Sequence, residues 1–389
     1  MPSARSNRTR RQSSYGSTAK STTVVRYAVV GLGHIAQTAV LPGMAQAKGS
    51  EIAALVSDDP VKLKALARRY RVKQTLGYEG FDALLASGDI DAVYIALPND
   101  LHYGYTLRAL HARIHVLVEK PMAVSAPQCR EMIAAAHAAQ VLLMVAYRLH
   151  FERANLNAVA LVEARKLGDL RYFQSTFSMQ VSPGDTRIRP VESGGGPLYD
   201  LGVYCINAAR GLFRDEPLEV TAFAERGDDE RFSATEEMVS VLMRFPRNRL
   251  ANFTASFGAA DSAAYDLVGT LGSLRIDPAY EYSEELCQRI TIKGRTTIRT
   301  QAVGDQFAAE IDYFSRCIRE GRQPEPSGSE GLADVQVVEA IIESIRTRRP
   351  VAVSALELAV ERPHPGQVIR YPPGAKQKRI HAPQPHLDP

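Results

Sequence analysis

The stretch VVRYAVVGLGHIA, residues 24–36, decides the fold of this 389-residue chain. Apart from Arg26, residues 24–30 are apolar and rich in β-branched side chains, which is typical of a short buried parallel strand. Two glycines and Ala36 then turn the chain into a helix in the pattern Gly-x-Gly-x-x-Ala. The first glycine permits the turn, the second lets a pyrophosphate approach the backbone, and the small third residue allows close packing. The stretch therefore predicts a dinucleotide site at the helix N-terminus, formed by Gly31, Leu32, Gly33, His34 and Ile35.

Strands and helices alternate after this unit as far as residue 148. Apolar runs at 51–56, 90–97, 115–118 and 141–146 predict further parallel strands, and the segments between them predict helices. This alternation is typical of a doubly wound sheet with helices on both faces. We therefore predict an NAD(P)-binding Rossmann domain over residues 24–148.

The end of the second predicted strand bears on the choice between NAD and NADP. An acidic residue there would hydrogen-bond the ribose hydroxyls of NAD. Ser57 takes this position instead, with Asp58 and Asp59 after it and Lys62 and Lys64 on the next helix. A hydroxyl beside an ammonium suits a 2′-phosphate, so the pattern favours NADP, with NAD as the alternative. The alternative for the two lysines is a solvated helix face, which is the usual place for such residues.

Two further motifs follow the ends of predicted strands, where ligands bind in open α/β sheets. Leu97, Pro98, Asn99 and His102 lie between the third strand and its helix, beside the expected nicotinamide ribose. Ordinary helix capping is the alternative for the asparagine. Lys120, in the sequence Glu-Lys-Pro, ends the fourth strand. An ammonium in that place would hydrogen-bond a substrate hydroxyl and stabilise an oxyanion, unless it only pairs with its glutamate neighbour at the surface.

A third motif combines an acid and a phenol at helical spacing. Asp200 and Tyr204 follow the glycine-rich run 194–196 and would share one helix face. Because a free phenol titrates near about pH 10, a tyrosine base needs a cation such as Lys120 beside it. Asp200 would accept a substrate hydroxyl or hold the lysine in place. A helix N-terminal aspartate with an unrelated tyrosine is the alternative.

Taken together, these motifs resemble the Gfo/Idh/MocA oxidoreductase family. The resemblance rests on Gly-x-Gly-x-x-Ala, Pro-Asn-x-x-His at 98–102, Glu-Lys-Pro at 119–121, the run 194–204 and the helix start at 324–334, and it covers residues 24–355. It implies an N-terminal Rossmann domain followed by a C-terminal α/β domain on an open mixed sheet. Most members carry Asp-x-x-x-His on the catalytic helix, whereas Asp-x-x-x-Tyr is similar to the glucose–fructose oxidoreductases within the family.

The resemblance also implies an activity and roles for residues. Tyr204 and Lys120 would form the acid/base pair, and Tyr78, Glu119, Arg148 and Arg187 would contact NADP. The reaction would be hydride transfer between an aldose C1 carbinol, or a related sugar or polyol, and the nicotinamide. Two alternatives stay open: a non-catalytic regulator that senses NADP and sugar on the same fold, and a family dehydrogenase or reductase that acts on a non-sugar substrate.

Runs of alternating polarity predict the sheet of a second domain over residues 149–372. The predicted strands are 170–177, 218–224, 238–245, 250–257, 265–269, 273–276 and 289–292. They form an open, mostly antiparallel mixed sheet, and amphipathic segments at 305–319 and 332–346 predict closing helices. An exposed face of this sheet, as in the family, would support a homodimer or homotetramer.

The composition limits the remaining function classes. The net charge of +4 comes from the two ends, 1–23 and 373–389, which we predict to be disordered tails. The net acidic body between them argues against nucleic acid, and no apolar run approaches the roughly 18 residues of a membrane span. Four cysteines without metal-ligand spacing predict reduced thiols, no metal site and a cytoplasmic location.

Overall fold

The computed structural model describes residues 24–356 and 360–387. The basic tail predicted over residues 1–23 lies outside the described residues. Within them the chain forms one sheet of six strands and a second sheet of nine.

The first sheet is parallel throughout. Its strands are β1 (Val25–Val30), β2 (Ser50–Val56), β3 (Gln74–Leu76), β4 (Ala92–Ile95), β5 (His115–Glu119) and β6 (Leu143–Ala146). The helices between them are α1 (Leu41–Gln46), α2 (Pro60–Tyr70), α3 (Phe81–Ala86), α4 (Asn99–His111) and α5 (Ala126–Ala139). The predicted doubly wound Rossmann domain is confirmed. The sequence misses β3, because three partly exposed residues carry no periodic pattern.

The strand order β3-β2-β1-β4-β5-β6 places the reversal of the sheet next to β1. All pairs from β3 to β6 are parallel, so their carboxyl ends meet at one edge. Because the helices after β1 and β4 leave on opposite faces, a crevice opens between the two strand ends. The crevice is the place where the motifs after β1, β2, β4 and β5 come together.

The second sheet is mixed and mostly antiparallel, as predicted. Its strands are β7 (Leu170–Ser178), β8 (Glu219–Glu225), β9 (Met238–Phe245), β10 (Arg249–Ser256), β11 (Ser262–Gly269), β12 (Gly272–Ile276), β13 (Leu286–Ile292), β14 (Arg295–Gln301) and β15 (Val351–Ala352). The order is β14-β13-β12-β11-β7-β10-β9-β8-β15, and β7 and β10 form its parallel pair. The sequence misses β14 and β15. Every residue of β14 except the last is exposed, so burial imposes no alternation on its sequence.

One face of the second sheet is covered by helices and the other is open. The helices α6 (Arg153–Glu163), α7 (Val203–Phe213) and α9 (Gly328–Thr347) pack on the inner face. The core there is a single cluster of buried side chains, which includes Phe173, Phe253, Ile206 and Ile341. The outer face exposes the large apolar side chains Tyr172, Phe223, Leu242 and Leu250.

Helix α8 (Gln306–Glu320) belongs by sequence to the second predicted domain but packs against the sheet of the first. Phe307, Ile311 and Phe314 are buried in the same core cluster as residues of β1 and β2. The hydroxyls of Tyr27 in β1 and Ser315 in α8 lie 2.9 Å apart. The domain limits themselves stay a prediction, but this helix packs with the Rossmann sheet.

A buried charge cluster joins α7 to α9. The Arg210 side chain is inaccessible to solvent, and its guanidinium pairs with Glu330, Asp334 and Glu216. Because an isolated buried charge costs several kcal/mol, the cluster is favourable only with all its partners in place. It therefore fixes the position of α7 relative to α9.

His150, at the junction between the two domains, extends this cluster. It is 4% exposed, and its Nδ1 lies 2.7 Å from a Glu325 carboxylate oxygen. Its Nε2 lies 2.7 Å from Oδ1 of Asn207, whose own amide group donates to the acids of α9. Both ring nitrogens therefore face acceptors. Burial opposes the charged form, but the carboxylate of Glu325 prevails and raises the pKa of His150 to about 9.

The described part of the predicted C-terminal tail makes defined contacts. We name residues 378–387 the C-terminal strap. At its start the Ile380 N–H donates to Gln37 Oε1, and the Gln37 amide donates to the Ile380 carbonyl, both at 2.8 Å. At its end the Leu387 N–H donates to the Gln180 carbonyl at 2.8 Å. The strap therefore runs from the Rossmann domain to the loop after β7, which its composition does not reveal.

Candidate active site

A cleft of about 810 Å³ lies between the carboxyl ends of the Rossmann strands and the second sheet. It brings together nearly all the residues predicted from the sequence. These are Gly31, Leu32, Gly33, His34, Ile35, Ser57, Lys62, Tyr78, Leu97, Pro98, Asn99, Glu119, Lys120, Arg148, Arg187, Asp200 and Tyr204. Of the predicted site residues, His102 is the exception and does not line the cleft.

The glycine turn after β1 has the geometry that a dinucleotide phosphate requires. Gly31 has φ +91°, and a Cβ there would lie 2.5 Å from the Ala96 carbonyl oxygen, so another side chain would not fit. A Cβ at Gly33 would meet nothing within 4 Å, because this glycine faces the open cleft. The helical segment that begins at His34 directs its first N–H groups toward the same space. The turn therefore fits a bound pyrophosphate.

The end of β2 leaves a hydroxyl and an ammonium at the cleft. Asp58 accepts a hydrogen bond from the Tyr78 N–H at 3.0 Å, and Asp59 caps α2 by accepting from the N–H groups of residues 61 and 62. Both acids are thus engaged with backbone, while Ser57 and Lys62 line the cleft. Exposed Lys64 does not line it. Burial raises the pKa of Tyr78 to about 12, so its phenol stays neutral at physiological pH.

The motif after β4 divides into a cleft residue and a buried one. Asn99 lines the cleft, and its amide donates to the Gly194 carbonyl at 2.7 Å. His102 is inaccessible to solvent, and its ring nitrogens lie 2.8 Å from the carbonyl oxygens of Leu97 and Pro121. Burial lowers its pKa. The histidine therefore ties the loop after β4 to the loop after β5 rather than contacting a ligand.

Lys120 and Asp200 meet across the cleft from distant parts of the chain. The Lys120 ammonium donates to Oδ1 of Asp200 at 2.7 Å and to its main-chain carbonyl at 2.8 Å. Arg187 donates from Nε to the other carboxylate oxygen, Oδ2, at 2.8 Å. Asp200 lies in a π-helical turn, Leu198–Gly202, directly before α7, and such wide turns recur at functional sites.

The three charges stabilise one another. Burial opposes the ionised carboxylate, but the cations of Lys120 and Arg187 prevail and lower the pKa of Asp200 to about 2. Burial likewise opposes the charged lysine, and Asp200 raises the pKa of Lys120 above its usual value. The Lys120 side chain is 9% exposed. At neutral pH the site therefore holds an ammonium fixed by a carboxylate.

Tyr204 lies beside that ammonium and a second cation. The Lys120 Nζ is 4.8 Å from the Tyr204 ring centroid, and the Arg148 Cζ is 4.9 Å from it. Arg148 is held in turn by Gln306, whose Oε1 accepts from Nη1 at 2.8 Å. Both cations therefore lie within cation–π distance of one ring. Such an arrangement can support proton transfer and the stabilisation of an oxyanion.

Glu119 lines the cleft behind the lysine. Its Oε1 accepts a hydrogen bond from the Tyr94 hydroxyl at 2.9 Å, and burial raises its pKa. The tyrosine comes from the neighbouring strand β4. The glutamate is therefore oriented by the Rossmann sheet itself.

Several cleft residues are absent from the sequence analysis. Phe177 and Tyr280 form an aromatic wall around Tyr204, with ring centroids 5.6 and 6.1 Å from its ring. Phe177 is the penultimate residue of β7, where strand periodicity indicates core packing rather than a site. Tyr280 follows β12 and belongs to no motif. The strap residues His381 and His386 also line the cleft, although the composition of this segment predicts solvated side chains.

Among residues 24–356 and 360–387, no group of three or more His, Cys, Asp or Glu side chains is arranged to hold a metal ion. Over the same residues, no helix combines the length and the apolar character needed to cross a membrane.

The cleft places a Rossmann phosphate turn beside a lysine, an aspartate and a tyrosine. Comparison with known families identifies the two domains that form it. Residues 25–147 match the model of an oxidoreductase family with an NAD-binding Rossmann fold, and residues 156–275 match the GFO/IDH/MocA C-terminal domain. The chain belongs to the Gfo/Idh/MocA oxidoreductase family. The resemblance drawn from the sequence motifs is thereby confirmed.

The relatives of this chain include enzymes named for sugars and for sugar nucleotides. The chain is 30% identical over 325 residues to the NADP(+) D-xylose 1-dehydrogenase 2 of Haloferax volcanii, covering 82% of this chain and 97% of that enzyme. It is 32% identical over 332 residues to the dTDP-3,4-didehydro-2,6-dideoxy-α-D-glucose 3-reductase of Saccharopolyspora spinosa. This match covers 84% of this chain and 97% of that enzyme. The crystal structure of the aldose-aldose oxidoreductase of Caulobacter crescentus, in complex with glycerol, is 35% identical to this chain and superposes with a TM-score of 0.81. The match covers 85% of this chain and 99% of that one.

Proposed function

We propose that the protein is an NADP-dependent sugar oxidoreductase that transfers a hydride between an aldose C1 carbinol, or a related sugar or polyol, and the nicotinamide. The observation that carries the proposal is the convergence of Lys120, Asp200 and Tyr204 beside the glycine turn. The xylose dehydrogenases and the aldose-aldose oxidoreductase among its relatives support a sugar as substrate.

The cofactor is NADP, with NAD as the weaker candidate. The residues that would hold it are the glycine turn for the phosphates and Ser57 with Lys62 for the 2′-phosphate. Asp58, which would repel a 2′-phosphate, is turned to the Tyr78 backbone instead. When bound, NADP supplies the hydride acceptor at its nicotinamide ring.

The chain's own residues handle the proton. In the oxidative direction Tyr204, as the phenolate, takes the proton from the substrate hydroxyl and becomes the phenol, while Lys120 donates a hydrogen bond to the same substrate oxygen as it becomes negative. Asp200 holds the lysine through Oδ1 and is itself held by Arg187 through Oδ2. We assign Asp200 to positioning, because both its carboxylate oxygens already accept charged donors.

The test is Tyr204→Phe, assayed with a panel of aldoses and polyols against both NADP and NAD. We expect turnover to fall by about 10²–10⁴-fold, the usual contribution of general acid–base catalysis. NADPH binding, measured by fluorescence titration, should stay within about threefold of wild type, because the phosphate-binding turn is untouched.

The matched control is Tyr199→Phe. Tyr199 belongs to the same π-helical turn, and its hydroxyl donates to the Val124 carbonyl at 2.8 Å, outside the cleft. We expect this variant to lose some stability but to keep its turnover. Full turnover in Tyr204→Phe would contradict the proton-transfer role. NADPH binding without turnover on any sugar or other carbinol would favour the regulator instead.

The outer face of the second sheet is our proposed oligomer interface. This face carries four large apolar side chains that are about half exposed or more: Tyr172 (45%), Phe223 (67%), Leu242 (47%) and Leu250 (47%). Several large exposed apolar side chains on one face of a sheet are typical of protein–protein contacts. We propose a homodimer or homotetramer formed through this face.

We also propose a cytoplasmic location. All four cysteines lie within the described residues and are free thiols, and three of them are buried. Thiols that stay reduced are typical of a reducing compartment.

A further inference from the structure

The C-terminal strap crosses the mouth of the cleft and is attached on both sides. Its first half bonds to Gln37, in the helical segment that follows the glycine turn. Its second half bonds to the loop after β7, where the Ser182 N–H donates to the Pro385 carbonyl at 2.9 Å. Between these attachments Ala382 and Pro383 line the cleft itself. The strap is thus a bridge between the two walls of the cleft.

The strap places a guanidinium at the glycine turn. Arg379 Nη1 lies 3.2 Å from Nδ1 of His34, the residue that directly follows Gly33. Its Nη2 donates to Oε1 of Gln384, within the strap. Burial, followed by the charges of Arg379 and Arg187, lowers the pKa of His34 to about 4. His34 is therefore neutral at physiological pH and can accept from the guanidinium.

The strap also reaches the end of β2. His381 Nδ1 lies 2.9 Å from Oδ2 of Asp59, the residue that caps α2. The Lys378 carbonyl accepts from the Arg69 guanidinium at 2.9 Å. The strap therefore follows the half of the cleft where the glycine turn and Ser57 would hold the phosphates of the dinucleotide.

We propose that the C-terminal strap is part of the cofactor site, in which Arg379 binds the diphosphate of NADP(H) and the strap slows its release. Guanidinium groups bind phosphate oxygens through charge-assisted hydrogen bonds, and the glycine turn supplies backbone donors but no positive side chain at this point. The inference rests on the proposed NADP dependence, but not on which sugar is the substrate.

The experiment measures NADPH rather than turnover. Full-length wild type, Arg379→Ala and Lys376→Ala are titrated with NADPH by fluorescence, and release is followed by stopped flow after dilution into excess NADP. Lys376 is exposed and lies in the same basic segment, so its substitution removes the same net charge and serves as the matched control. A third variant ends at Gly374 and retains Tyr371, which contacts the N-terminus of α8 through its carbonyl.

We expect Arg379→Ala to weaken NADPH binding by about tenfold, as for the loss of a hydrogen bond between charged groups, and Lys376→Ala to bind as wild type. The shortened chain should release NADPH at least as fast as Arg379→Ala. Equal affinity of wild type and Arg379→Ala, or equal weakening in both alanine variants, would overturn the role of Arg379. Slower release or tighter binding by the shortened chain would mean that the strap occludes the site. If wild type does not bind NADPH at all, the proposed function itself fails, and the two failures are thus distinguishable.

Discussion

The charge on His150 makes the stability of the domain junction depend on pH in a range that is easy to measure. The folded protein raises the pKa of this histidine from 6.5 to about 9, mainly through the Glu325 carboxylate, against the cost of burial. A group with a raised folded-state pKa stabilises the protein fully below its unfolded pKa. That stabilisation is lost as the pH rises through the folded pKa. The relevant window is therefore about pH 6.5 to 9.

The magnitude follows from the size of the shift. A shift of one pKa unit corresponds to about 1.4 kcal/mol, so His150 contributes about 3 kcal/mol to the free energy of unfolding at low pH. Between pH 7 and pH 9.5 the wild type should lose about 2 kcal/mol of this contribution. The histidine is 4% exposed, so solvent screening reduces the figure little.

The assay is urea unfolding followed by circular dichroism at pH 7 and pH 9.5, for wild type and His150→Gln. The gap in unfolding free energy between the two proteins should narrow by about 2 kcal/mol at the higher pH. His115→Gln is the control, because burial lowers the pKa of His115 to about 4 and leaves it neutral at both pH values. A gap between wild type and His150→Gln that does not change with pH would refute the assignment of a charged imidazole.

Three further predictions concern the site and its surroundings. Asp200→Asn should lower the free energy of unfolding by about 2 kcal/mol in urea unfolding, because folding lowers the pKa of the Asp200 carboxyl from 3.8 to about 2. The same substitution should reduce turnover by about 10- to 100-fold in steady-state kinetics. Gly31→Ala should lower the free energy of unfolding by about 2–4 kcal/mol and weaken NADPH binding, because the new Cβ would collide with the Ala96 backbone. Gly104→Ala is the control: its Cβ would meet open space, so the free energy of unfolding and NADPH binding should stay the same or improve. Leu242→Glu should dissociate the oligomer in light scattering, with exposed Leu271→Glu, in the turn before β12, as the control; an unchanged mass would exclude this face.

The sequence indicated most of the architecture, because burial imposes a period on each element. Strand β9 was predicted with its observed limits, since its eight residues alternate strictly between exposed and buried. Strand β14 was missed for the opposite reason: it forms the exposed edge of the sheet and buries almost nothing. The strand predicted at 90–97 is shorter in the structure, Ala92–Ile95, because the residues after it turn into the loop that lines the cleft.

The candidate site was predicted where a motif joins a strand to a helix and missed where contacts are distant in sequence. Lys120 follows an apolar strand, so its position at the cleft could be inferred from its neighbours alone. His102 belongs to the same motif set, but its burial between two carbonyl groups depends on a loop nineteen residues away. Arg379 reaches a residue 345 positions earlier, and no local periodicity reports such a contact.

Lys120, at the centre of the cleft, has one hydrogen-bond acceptor that a substitution at position 200 cannot remove. One of its two acceptors on residue 200 is the main-chain carbonyl, at 2.8 Å, and every amino acid has that oxygen. A substitution at position 200 therefore removes the carboxylate that pairs with the ammonium but leaves this carbonyl contact in place. The main chain of the π-helical turn thus contributes to the position of the lysine, and the Asp200 side chain adds the charge that balances Lys120 and Arg187.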